Sequence, residues 1–95
     1  MNLKTAYIEK MEAQLREWGA TIDVLKAKAD KAEASAKIEY MKQLDSLKAK
    51  RDAAQTKLGE ISAAGEEAWE ILKTGAEGAW SELKSAVDSA SARFK

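Results

Sequence analysis

The side chains in this sequence that could do chemistry are almost all carboxylates and amines. Neither His nor Cys occurs. The usual general base near neutral pH, the thiolate nucleophile and the soft metal ligands are therefore all missing. The Glu-x-x-His pairs of di-iron helical bundles cannot be assembled. No disulfide can form, so cysteine usage says nothing about redox compartment. What remains is oxygen chemistry. Glu66 and Glu70 stand four residues apart with Glu67 adjacent, a spacing that on a helix could offer carboxylates to a divalent cation. The same residues also read as a solvated acidic first turn, which the helix dipole favours. No catalytic residue, metal or cofactor is expected. Gly75-Ala76-Glu77-Gly78 lies inside a helical pattern and lacks the Lys-Ser/Thr of a phosphate loop.

The basic residues offer little more. Lys48, Lys50, Arg51 and Lys57 cluster, but Asp45 and Asp52 are interleaved with them, as on an ordinary solvated helix face. Across the chain, 16 basic residues balance 16 acidic ones. Nucleic acid would reward a clear basic excess, so it is not expected as a partner. The charge is unevenly spread. Residues 1–58 hold 12 basic and 9 acidic residues, whereas residues 59–95 hold 4 and 7. Opposite halves of this kind favour folding back or antiparallel assembly.

The elements that position these residues are helices. There is no proline, and Ala, Lys, Glu and Leu dominate. Ile8, Met11, Leu15, Trp18, Ile22, Leu25, Ala29, Ala32 and Ala36 follow 3–4 spacing, an a/d heptad seam. Two four-residue steps through Tyr40 and Leu44 form a stutter, with Ile38 and Met41 off the stripe. The pattern resumes at Leu44, Leu47, Arg51, Ala54, Leu58 and Ile61. Arg51 takes a position where an apolar residue is expected. It either fixes register or lays its stem along the seam with the guanidinium in water, and both readings stay open.

Gly19 sits alone in strong helical pattern and is read as a close-packing point beside Trp18. Gly59 and Gly65 suggest the turn: Gly59 as the residue after a helix, Ser62 as the cap of the next. The leading expectation is an all-α long helical hairpin or elongated coiled coil, with helix 1 over about residues 3–58 and helix 2 over about 63–94. It forms one domain, residues 1–95, with a long heptad helix and turn over 1–62. The alternative is a three-helix bundle, because Asp30-Lys31-Ala32-Glu33 resembles a capping box that could start a middle helix. A single unbroken helix, ~140 Å long, ranks third.

Residues 63–95 carry an eleven-residue repeat. Ala68-Trp69-Glu70-Ile71-Leu72-Lys73-Thr74 recurs as Ala79-Trp80-Ser81-Glu82-Leu83-Lys84-Ser85 and decays into Ala90-Ser91-Ala92-Arg93-Phe94-Lys95. Eleven residues make three turns at about 3.67 per turn, so the apolar stripe barely drifts around the helix. Trp69, Leu72, Trp80, Leu83, Val87 and Phe94 fall on that stripe, which suits helix packing or a lipid surface. The pattern resembles the eleven-residue amphipathic repeats of exchangeable apolipoproteins, which would imply reversible lipid-surface binding. Its acidic polar face is a poor match to anionic lipid. Over its whole length the chain is also similar to a group of small, uncharacterised bacterial coiled-coil proteins, through Gly65-Glu66-Glu67-Ala68-Trp69-Glu70-Ile71-Leu72-Lys73. That resemblance implies architecture and no mechanism.

The functional expectation is a structural, non-enzymatic protein acting by homotypic assembly or scaffolding, with lipid-surface binding as the alternative. In a hairpin turning near residue 62, Phe94 would reach only about residue 30. Ile8, Met11, Leu15, Trp18, Ile22 and Leu25 would then have no partner within the chain. Burying six such side chains is worth on the order of 10 kcal/mol, comparable to the stability of a small domain. The chain is therefore expected to pair with itself, as an antiparallel homodimer or higher oligomer, through that seam with Leu44 and Leu47. No small-molecule substrate is expected. The opening residues lack the apolar run of a signal peptide and no stretch reaches the ~20 apolar residues of a span. The expected location is cytoplasmic, peripheral to a membrane if the lipid reading holds.

Overall fold

The structure, a computed structural model, describes residues 2–94. Three helices and no strand occur among them: α1 (Leu3–Asp30), α2 (Ala34–Ala63) and α3 (Ala68–Arg93). The fold is all-α, and of the two leading arrangements it is the three-helix bundle, 51 × 20 × 18 Å. The hairpin's helix 1 is broken at Lys31–Glu33, so the expected span of 3–58 is corrected to two helices.

That break has no strong local cause. Asp30 is the last residue of α1 rather than the cap of the next helix, and the N-cap of α2 is Glu33, whose side chain makes no capping bond. Lys31 stays right-handed helical at φ −93°, ψ −6°, while Glu33 is extended at φ −62°, ψ 155°. The gain is tertiary. Folding α1 onto α2 buries Met11, Ile22, Leu25 and Ala29 with Leu44, Leu47, Ala54 and Leu58 in one cluster. Each large side chain buried contributes ~1.5–3 kcal/mol, against ~0.5–1.5 kcal/mol for each helical hydrogen bond given up at the break.

The second connection also falls elsewhere than Gly59 and Ser62 suggest. Both lie inside α2, and no described glycine has a positive φ. The helix runs on to bring Ile61, fully buried, against Trp69 and Ala76. Ending at Leu58 would leave Ile61 out of helical register with them. The chain then turns over residues 64–67, where the Ala64 amide donates to Ile61 O and the Trp69 amide to Gly65 O. The start of α1 fastens this turn. Lys4 Nζ donates to Ala64 O at 2.5 Å and Asn2 Nδ2 to Glu66 Oε1 at 3.2 Å.

The helices run up, down and up. Tyr7 packs on Trp69 and Trp18 on Trp80, ring centroids 5.9 and 6.0 Å apart, so α1 and α3 are parallel. Phe94 stacks on Tyr40 at 4.2 Å, so α3 runs antiparallel to α2. The expected pairing of Phe94 with the region of residue 30 is thus corrected to Tyr40, because the chain turns over residues 64–67 rather than near 62 and the register of α3 on α2 shifts with it.

Candidate functional site

The apolar stripes converge on the bundle interior in two clusters, the smaller of them formed by Ile61, Trp69 and Ala76. Of the expected self-association seam, Met11, Ile22, Leu25, Leu44 and Leu47 are buried within the chain, and Ile8, Leu15 and Trp18 are half-buried against the same cores. Of the C-terminal face, Trp69, Trp80, Leu83, Val87 and Phe94 are buried and Leu72 is half-buried. The premise that residues before 30 lack an intramolecular partner is therefore overturned: α1 lies against both other helices.

No polar residue is buried among the described residues, so the interior is apolar. One directional contact reaches it: Trp80 Nε1 donates to Gln14 Oε1 at 2.9 Å. Tyr40 Oη donates to the Arg93 carbonyl at 3.3 Å and fixes the end of α3. Sequence reading singles out neither Tyr7 nor Gln14. The available signal is the spacing, for Tyr7 and Trp18 stand eleven apart, as do Trp69 and Trp80. Equal repeats on two helices mark them as parallel neighbours.

Tyr7 is the one polar residue in conflict with its surroundings. Its ring packs on Trp69, with Lys73 Nζ 5.4 Å from its centroid, yet its buried Oη has no hydrogen-bond partner among the described residues. Burial, and secondarily the charge of Glu77, raise its phenol above the usual 10.0. The folded state thus favours the neutral phenol. Its contribution to stability is complete below pH ~10 and falls as pH rises beyond that. Tyr7→Phe keeps the ring and removes the unpaired hydroxyl, so it is expected to leave stability unchanged or raise it by about 1 kcal/mol. It should also flatten part of the alkaline decline in melting temperature. Loss of more than about 1 kcal/mol in chemical denaturation would show that the hydroxyl is satisfied.

The polar candidates disperse. Glu66 and Glu67 lie in the α2–α3 connection rather than on a helical face with Glu70, and no group of acidic residues among the described ones is arranged to hold a metal ion. The basic cluster splits around α2. Lys50 borders the α2–α3 groove, Arg51 borders the α1–α2 groove, and Lys57 pairs with Glu60 at 3.8 Å. The side chain of Arg51 is about one-third exposed, at 32%, and its guanidinium lies 3.5 Å from Asp52. Gly19 is no close-packing point, since a Cβ there would meet nothing within 4 Å. It helps instead to open that α1–α2 groove, about 540 Å³ in volume.

Among the described residues no helix is long and apolar enough to cross a membrane. Large apolar side chains left in solvent are Leu3, Val24, Ile38 and Ile71, distributed over all three helices. Comparison with known proteins finds no match to this chain among family models, curated protein sequences or solved structures.

Proposed function

We propose that the protein is a structural, non-catalytic helical module whose work is homotypic assembly by helix exchange. The observation that carries this reading is the α1–α2 connection. Ala29, Ala32 and Ala36 continue the 3–4 spacing straight through it, with no glycine or proline to enforce a turn. Glu33 is extended while Lys31 is still helical. Returning the connection to helical geometry joins α1 and α2 into one rod over residues 3–63. The α1 of one copy then packs in the place of α1 in another, with every buried contact kept. Exchange of an identical element is a low-cost route to dimers, and short hinge connections invite it. Refolding from denaturant at low and at high protein concentration, followed by sedimentation equilibrium, tests this. Twice the monomer mass is expected after concentrated refolding, and a monomer under every condition would overturn the reading.

A second reading is favoured by α3. Trp69 and Trp80 share one face with Leu83, Val87 and Phe94, as on an amphipathic helix that trades protein contacts for acyl chains. Its acidic outer face suits zwitterionic rather than anionic lipid. Flotation with phosphatidylcholine vesicles, with helicity kept and near-UV circular dichroism lost, is the signature of this reading. Failure to float at any lipid ratio would remove it.

A further inference from the structure

We infer that the α1–α2 groove is a binding site for a free amphipathic monocarboxylate, its headgroup between Arg16 and Arg51 and its apolar chain along Leu15 and Leu58. The groove is bounded by Gly19 on α1 and Gly59 on α2. Each glycine is inside a helix and has a negative φ, and a Cβ at either position would meet nothing within 4 Å. Neither a turn nor close packing calls for glycine there, yet glycine in a helix interior costs roughly 1 kcal/mol relative to alanine. What the two glycines secure is space. The cavity, about 540 Å³, falls within the ~300–1,000 Å³ of small-molecule sites.

The lining suits one class of occupant. Leu15 is half-buried and Leu58 is 5% exposed, which gives an apolar floor. Arg16 and Arg51 outweigh Glu12, the one acidic residue of the lining, by a single positive charge. Arg51 stands where the heptad pattern expects an apolar side chain, so the charge is set into the seam at the groove. Its pairing with Asp52, exposed and between neighbouring residues, contributes little. A carboxylate offers the guanidinium fork a better-matched, two-pronged acceptor. A phosphate dianion would exceed the lining's single excess charge, and a neutral amphiphile would leave that charge unanswered. The site is independent of the assembly reading, because an exchanged dimer builds the same groove from the α1 of one copy and the α2 of the other.

The experiment is a titration of the whole chain with decanoate below its micelle concentration, followed by backbone amide NMR shifts and repeated with decanol and with acetate. Decanoate is expected to give saturable shifts confined to residues around 15–19 and 51–59, with decanol and acetate binding at least about tenfold more weakly. Arg51→Gln and Arg16→Gln should each weaken binding about tenfold. Gly59→Leu fills the groove and should abolish binding, while the melting temperature holds or rises because leucine is the better helix former. The proposal is overturned if decanoate gives no saturable shift, if decanol binds as well, if the shifts lie elsewhere, or if Gly59→Leu binds normally.

Discussion

Trp80→Ala is expected to remove about 3–5 kcal/mol of folding stability, because it opens a cavity in a cluster to which all three helices contribute. Trp80 is 6% exposed, packs on Trp18 of α1, and belongs to the cluster that holds Leu44 and Leu47 of α2. The substitution also strands the Gln14 amide that accepts its indole N–H. Small domains have only ~5–15 kcal/mol to lose. At ~4–8 °C per kcal/mol for a chain of this size, the melting temperature should fall by more than about 12 °C. Ile71→Ala supplies the contrast. It alters the preceding copy of the repeat, nine residues before Trp80 and two after Trp69, but Ile71 is 78% exposed. Its effect should stay within about 0.5 kcal/mol. Comparable losses for the two substitutions in urea denaturation would mean that α3 does not present the face described.

Ala34→Pro is expected to keep the closed bundle and eliminate the exchanged dimer. Ala34 is the first residue of α2, where proline's fixed φ fits and its missing N–H is unneeded, since the first backbone bond of α2 runs from the Lys37 amide to Glu33 O. The preceding residue, Glu33, is already extended, as the residue before a proline prefers to be. Restricting the unfolded chain should stabilise the monomer by about 0.4–1 kcal/mol. In a continuous helix the same proline lies mid-rod, removes the bond to residue 30 and clashes with its carbonyl. That costs about 3 kcal/mol or more in each chain. Dimer yield after concentrated refolding should therefore drop at least about a hundredfold. A proline variant that dimerises like the parent would show that association uses the outer surface and leaves the hinge closed.

The all-α class and the buried faces were legible because they depend on composition and period alone. Ile22, Leu25, Leu44, Leu47, Trp80 and Leu83 all lie where the 3–4 and eleven-residue spacings put them, on the inside. What covers those faces was not legible. A heptad seam is the same whether its mate is another chain or the next helix, and the deciding break at Lys31–Glu33 carries neither glycine, proline nor a capping hydrogen bond. Gly59 pointed to a turn that the burial of Ile61 overrides. The α1–α2 groove was invisible for a related reason. Gly19, Gly59 and Arg51 look like unrelated irregularities until the helices set them side by side.

Helix exchange requires that the chain connect α1 to α2 in two ways while keeping one set of buried contacts. Hydrogen exchange of the Ala34, Ser35 and Ala36 amides in separated monomer and dimer tests it most directly. In the closed bundle these amides open a helix and have no intrahelical acceptor, so they should exchange rapidly. In the exchanged dimer they bond to the carbonyls of residues 30–32 in an unbroken rod and should become protected, while Leu44, Leu47 and Leu83 keep the same protection in both species. A dimer in which the three amides still exchange rapidly would contradict helix exchange and point to association of closed bundles.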